Sequence, residues 1–167
     1  MARRFFVWGA VLALLADQVS KVMVHGALDV GDSMLVIPGV LRLVHTGNPD
    51  GVFGLSFGPR FLYYIMPALG AAVVTWLGLR VRDRWSAAAF GLLLGGAVGN
   101  LADRVRLGHV IDFIDMGWRG WHWFTYNVAD VALVAGIVML LVRELLWRKG
   151  SECAAPGTSV RPTSANN

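Results

Sequence analysis

The sequence predicts an all-α transmembrane protein: a four-helix membrane bundle with a small outward-facing β-sheet and a short Trp-rich interfacial segment. Three observations predict it. The 167-residue chain is 56% hydrophobic and only 16% charged, whereas an ordinary soluble domain carries about 25% charged residues. Four apolar stretches, about Phe5–Val24, Phe61–Leu79, Trp85–Ala102 and Val128–Leu146, each approach the ~20 residues a helix needs to cross ~30 Å of hydrocarbon. The basic residues are also unevenly shared. With four spans, both termini lie on the same side as the loop between the second and third. That side holds Arg3, Arg4, Arg80, Arg82, Arg84, Arg143, Arg148, Lys149 and Arg161 against Asp83, Glu144 and Glu152. The positive-inside rule makes it cytoplasmic, and the net charge of +4 then needs no nucleic-acid partner.

The first span follows Arg3 and Arg4 as a secretory signal would. Asp17 and Lys21 interrupt it where a cleavage region needs small residues, so it is expected to stay as a helix. In the outward segment Gly26–Arg60, Met34–Ile37 and Val40–His45 flank Pro38-Gly39 and read as two short strands around a turn. A third strand is expected around Gly51–Phe57. Open strand edges cannot sit in hydrocarbon, so this sheet belongs at the membrane surface or against the helices. Arg80–Arg84 is a short basic hairpin. The second outward segment, Val105–Tyr126, gathers Trp118, Trp121 and Trp123, whose rings favour the headgroup level. Residues 1–150 are expected to form one domain and the polar residues 151–167 a disordered cytoplasmic tail. The single cysteine, Cys153, excludes an internal disulfide.

Polar residues within spans are costly and are functional candidates by default. Asp17 and Lys21 are four apart, on one helical face near the outer end of the first span. Asn100, Asp103 and Arg104 cluster at the outer end of the third, and Asn127 and Asp130 at the outer start of the fourth. Asp112 falls between these last two groups. The topology therefore puts every cluster at one depth near the outer leaflet, which points to a common site.

No Ser-His or Cys-His pair is placed for nucleophilic attack. His25, His45, His109 and His122 lack the spacing of a zinc motif, so no metal and no cofactor are expected. Carboxylates are in excess. Two held close share a proton, one acting as base toward a water and the other as acid toward the carbonyl oxygen or leaving nitrogen. Plainer readings stand beside this one. Asp17–Lys21 can be a structural ion pair, and Asp103, Arg104 and Asn100 can tie the third helix to its neighbours. Asn127 can be a helix N-cap with Asp130 a favourable first-turn charge. Asp112 and Asp115 can be exposed interfacial acids. Spacing alone does not select the pair.

The ordered motifs Asp17-Gln18-Val19-Ser20-Lys21, Asn48-Pro49-Asp50-Gly51-Val52-Phe53-Gly54, Gly99-Asn100-Leu101-Ala102-Asp103-Arg104, Val110-Ile111-Asp112-Phe113 and Tyr126-Asn127-Val128-Ala129-Asp130 resemble those of the lipoprotein signal peptidases (type II signal peptidases). Trp121-His122-Trp123 resembles the stretch before the last of them. The resemblance runs from about Ala10 to Val142. It implies a membrane-embedded aspartic protease of the bacterial inner membrane. Such an enzyme cuts diacylglyceryl-modified prolipoproteins just before the lipid-bearing cysteine and is inhibited by globomycin. It also implies Asp112 and Asp130 as the catalytic pair, with Asn48, Asn100, Arg104 and Asn127 orienting the substrate backbone or supporting the pair. Asp17 and Lys21 would shape the site, and Asp103, another important acid, is the rival to Asp112.

Two residues depart from the family pattern. Asp50-Gly51 replaces the usual Gly-Ala, and Val131 stands where Ser is common after the last acid. Neither touches the proposed acids. Substrate and membrane lipids are the expected partners, and because all site residues lie in one chain a monomer suffices. The competing classes are a small proton-coupled transporter, which would spread its acids through the membrane depth or show inverted repeats, and a non-catalytic membrane assembly protein.

Overall fold

The computed structural model of the chain describes residues 1–49, 58–118 and 121–153. Four helices, α1 (Ala2–Ala27), α2 (Leu62–Arg80), α3 (Arg84–Leu107) and α4 (Val128–Cys153), are joined by segments that carry strands β1 (Ser33–Ile37), β2 (Leu41–Asn48), β3 (Val110–Trp118) and β4 (Trp121–His122). Among the described residues α1, α2 and α3 are each long and apolar enough to cross a membrane. The strand expected around Gly51–Phe57 lies outside the described residues. So does the polar tail from residue 154 onward, while α4 continues as helix through Cys153.

Helix α3 is the axis of the molecule, packed against α1, α2 and α4. Its sequence explains why. Gly91, Gly95 and Gly96 let neighbouring backbones approach where any side chain would intrude. A Cβ at Gly95 would sit 2.5 Å from the Ala10 carbonyl oxygen, and one at Gly96 would sit 2.5 Å from that of Ala129. Small-residue seams of this kind replace the hydrophobic drive that helices lack in lipid. Asp83 starts α3 by accepting the Ser86 N–H at 2.8 Å, and Gly108 ends it in the left-handed region at φ +79. Burial works against the Asp83 carboxylate, yet the Ser86 bonds and the nearby Arg143 charge hold its pKa below the ordinary range. Outside these seams α1, α2 and α4 turn large apolar side chains outward, among them Leu12, Leu15, Leu69, Val73, Val134 and Leu141.

The sheet is antiparallel in the order β1-β2-β3-β4. Its first turn forms at Pro38-Gly39 as the sequence predicts, with Gly39 at φ +72 and the Val40 N–H donating to the Ile37 carbonyl at 3.0 Å. The segment read as a Trp-rich interfacial stretch is mostly strand: β3 pairs with β2 from Leu41↔Met116 to Asn48↔Val110, and Trp118 pairs with Trp121 in β4. Those long-range backbone bonds have no local signature. Ile111 and Phe113 pack with Val24 into a small core under the sheet. Tyr126 pairs with Ile114, its N–H donating at 3.1 Å and its carbonyl accepting at 2.8 Å. That bridge brings the N-terminus of α4 alongside β3.

Gly95→Ala is expected to destabilise the α1–α3 seam by roughly 1–3 kcal/mol and to lower the thermal unfolding midpoint in detergent. Gly70→Ala, with nothing within 4 Å of the added carbon, is expected to leave that midpoint unchanged or slightly raised.

Candidate active site

Short stretches that are distant in sequence meet where α1, α3, β2, β3 and the start of α4 converge. Asp17 and Lys21 lie on one face of α1 because four residues make about one turn. Both are buried, as are Asp103, Asp112 and Asn127. A lone ammonium in such a place would be costly, and the structure surrounds it. Lys21 Nζ donates to Asp17 Oδ2 at 2.9 Å and Asn100 Oδ1 at 2.9 Å, and reaches Asp103 Oδ2 at 2.7 Å.

Asp17 is satisfied on both oxygens. Its Oδ1 accepts the Ala129 N–H in the first turn of α4 at 2.9 Å, where a helix N-terminus offers unpaired donors and favours negative charge. Gly99 is required opposite, because a Cβ there would meet Asp17 Oδ2 at 2.5 Å. Gln18 completes this layer: its amide nitrogen donates to Asp17 at 3.1 Å and to Asp103 at 3.1 Å, while its oxygen accepts from Arg106 at 2.9 Å. Gln18 has no charge and lies inside a motif, so spacing arguments passed over it.

The other two acids are held differently. Asp112 Oδ1 accepts the Asn127 amide at 2.7 Å and its Oδ2 accepts the Asn48 amide at 2.9 Å. Asp130 Oδ1 accepts the Asn100 amide at 3.0 Å. Its Oδ2 accepts the Asn127 backbone N–H at 3.2 Å, while the Asp130 N–H donates to Asn127 Oδ1 at 3.1 Å. This reciprocal pair is a capping box. Asn127 is therefore the helix N-cap that the sequence allows, and its amide also bridges to Asp112 and, at 3.1 Å, to Asn100 Oδ1. Arg104 sits within electrostatic reach of Asp112, Asp130 and Asp103, and its guanidinium donates to the Asn100 carbonyl at 3.4 Å.

All nine residues singled out in the sequence thus belong to one cluster. It contains two kinds of carboxylate: Asp17 and Asp103 ion-paired to Lys21, and Asp112 and Asp130 held by amide donors. Burial pushes the Asp112 carboxyl up to about 6, against the Asn48 bond, with the Asp130 charge adding to the rise and Asn127 and Lys21 opposing it. Asp112 and Asp115, which the sequence allowed as exposed interfacial acids, are each 4% exposed. Three histidines have partners outside the cluster: His25 Nδ1 meets His45 Nε2 at 3.3 Å, and His122 Nδ1 meets Asp115 at 3.0 Å. Among the described residues no three His, Cys, Asp or Glu side chains are placed to hold a metal ion.

Lys21→Met is expected to cost about 3–5 kcal/mol, because it leaves two buried carboxylates without their cation. The check is thermal unfolding and the yield of monodisperse protein in detergent, both of which should fall sharply.

Comparison with known proteins agrees in extent and in architecture. The family described as Signal peptidase (SPase) II matches residues 9–146. A lipoprotein signal peptidase of Geobacter sulfurreducens is 38% identical over 149 residues, covering 85% of this chain and 93% of the relative. One from Pseudomonas syringae pv. tomato is 38% identical over 159 residues, covering 91% and 92%. A bacterial membrane enzyme of known structure superposes with a TM-score of 0.77 at 25% identity, over 96% of this chain and 94% of its own. A second does so with a TM-score of 0.75 at 28% identity, over 84% and 92%. With a family match across most of its length, relatives above 30% identity and the same fold, the chain belongs to the signal peptidase II family.

Proposed function

We propose that this protein is an aspartic endopeptidase that removes signal peptides from diacylglyceryl-modified prolipoproteins, cutting just before the lipid-bearing cysteine. The observation that carries the reading is the division of labour among four buried acids. Asp17 and Asp103 are engaged in ion pairs with Lys21, so their oxygens are taken up by a cation and not turned to a reacting group. Asp112 and Asp130 are held by neutral amides and lie close enough for the charge on one to raise the proton affinity of the other. Of the acids in the cluster, this pair is the one suited to share a proton. It therefore supports Asp112 over Asp103 as the partner of Asp130.

The chemistry follows. Two neighbouring carboxylates in a poorly solvated site do not both ionise cheaply. The protonated one polarises the scissile carbonyl while the ionised one takes a proton from water as that water attacks; the first then returns its proton to the leaving nitrogen. Asn48, Asn100 and Asn127 keep both carboxyls oriented. The Arg104 charge stabilises the oxyanion that develops in the transition state. No metal or cofactor enters any step.

Placement in the membrane is part of the same reading. Together with α1, α2 and α3, α4 makes a fourth span, giving a four-helix bundle of the bacterial inner membrane with both termini cytoplasmic. The acids then lie near the outer leaflet, where a lipid-anchored cysteine is delivered. Residues 1–150 act as one peptidase domain, a monomer is sufficient, and globomycin is the expected inhibitor. A proton-coupled transporter is less well supported, because the acids gather at one end of the helices instead of lining a path through them.

The test is cleavage of a diacylated prolipoprotein by purified protein in lipid. Asp112→Asn and Asp130→Asn are each expected to lower kcat by at least about 10²-fold with the thermal midpoint kept within a few degrees. An active Asp112→Asn beside a folded but inactive Asp103→Asn would move the pair to Asp103 and Asp130.

The pH profile offers a second check. In the free enzyme Asp112 is protonated below about 6 and ionised above it, so the singly protonated pair is depleted as pH rises through that value. The kcat/KM profile should fall on its alkaline side from near 6. The corresponding limb in kcat should lie higher, because bound lipid substrate strips water and disfavours the doubly ionised state.

A further inference from the structure

The strand that presents Asp112 is anchored by another buried carboxylate that the proposed reaction does not use. Asp115 is 4% exposed and both of its oxygens are occupied. Oδ2 takes a fork from Arg42, with Nε at 2.6 Å and Nη2 at 2.5 Å. Oδ1 meets His122 Nδ1 at 3.0 Å. Burial alone would raise the Asp115 pKa, but the Arg42 and His122 bonds bring it below the ordinary carboxylate range, so the group is ionised at working pH. A planar guanidinium fork fixes direction as well as distance.

The position of this cluster is informative. Arg42, Asp115 and His122 come from three consecutive strands, β2, β3 and β4. The β2–β3 register shifts between Leu43 and Thr46, so the irregularity falls between the pair Arg42↔Asp115 and the pair Thr46↔Asp112. A register break releases a strand from its ladder locally and allows it to bend. On its other side, among the described residues, β3 pairs with β4 at Gly117 and Trp118 and is bridged by Tyr126 at Ile114. The three-residue spacing puts Asp115 on the opposite face of β3 from Asp112, so Asp115 has no direct part in the site.

We propose that the Arg42–Asp115–His122 cluster is a positioning clamp that holds β3 across its register break and thereby keeps Asp112 within reach of the Asn48 and Asn127 amides. The inference rests on Asp112 being one of the catalytic pair for its effect on rate, though not for its effect on geometry. Misplacing a reacting group by about 1 Å can cost on the order of 10²-fold in rate. The clamp therefore sets kcat and leaves KM alone.

The experiment uses full-length protein in lipid and compares wild type with Asp115→Asn, Arg42→Lys and Arg42→Gln. The first readout is the titration of Asp112, followed as the infrared carboxyl band that Asp112→Asn removes. The charges facing Asp112, namely Lys21 from α1, Arg104 from α3 and Asp130 from α4, are the same in every variant. In Asp115→Asn the amide donors loosen, and the midpoint of that band should move to higher pH. The second readout is kcat, expected to fall about 10- to 100-fold with KM within about twofold. Arg42→Lys, which keeps charge and loses the fork, should fall between wild type and Arg42→Gln.

A band that titrates as in wild type, with only the unfolding midpoint lowered, would reduce the cluster to a stability element and overturn the clamp. A raised KM with kcat unchanged would overturn it in favour of a substrate contact. An active Asp112→Asn would instead remove the catalytic reading and the predicted rate effect, while the infrared shift would still decide whether the clamp positions Asp112.

Discussion

A buried lysine organises this molecule. Lys21 cannot be left uncompensated in a membrane-embedded interior, and the contacts that compensate it join most of the fold. Asp17 binds it within α1, and Asp103 and Asn100 bind it from α3. Asp17 then reaches the first turn of α4 through the Ala129 N–H, while Asn100 reaches Asp130. A single charge thus sets how three helices meet, and it does so with bonds that have direction, which close-packed glycines and alanines alone would not supply. Replacing such an ion cluster with apolar side chains can be neutral for stability in other proteins. Here the layer also supports the groups above it, so its value lies in geometry as much as in free energy.

Above that layer lies a second one built from amides. Asparagine offers two donors and a carbonyl without adding charge, which lets Asn48, Asn100 and Asn127 orient carboxylates and leave their proton exchange free. A lysine or arginine in direct contact would instead tie such an acid into an ion pair, as Lys21 does with Asp17 and Asp103. The two layers therefore use the same residue type, aspartate, for opposite ends. The capping box at the start of α4 shows how economical the arrangement is, because Asn127 starts the helix, anchors Asp130 and bridges to Asp112 with one side chain. The N-cap that the sequence allows at Asn127 is also the residue that bonds Asp112.

Much of the design is legible in the chain before folding. The apolar stretches, the Asp17–Lys21 spacing and the Pro38-Gly39 turn are local features, and each corresponds to an element in the structure. Residues around Asp115 were harder to read. Nothing in the spacing of Arg42, Asp115 and His122 marks them as neighbours, because they meet only when β2, β3 and β4 pair. The strand character of Val110–Trp118 was hidden by the tryptophans at its end and just beyond it, Trp118, Trp121 and Trp123, which suit an interfacial loop equally well. Gln18 and Gly99 escaped the charge-based argument for another reason: one is neutral and the other matters only because Asp17 lies against it.

The sequence by itself determined the solvent of this protein, the grouping of its polar residues toward the ends of its apolar stretches and the ordered motifs of its family, since hydropathy, charge asymmetry and short spacings are properties of a chain read in one dimension. That Asp103 joins Asp17 on Lys21 while Asp112 and Asp130 are left to amide donors was decided only by tertiary structure. All the aspartates carry the same carboxyl group; their burial and their partners differ, and the contacts that bring Lys21 to Asp103, Asn127 to Asp112 and Ala129 to Asp17 join residues 15 to 112 positions apart.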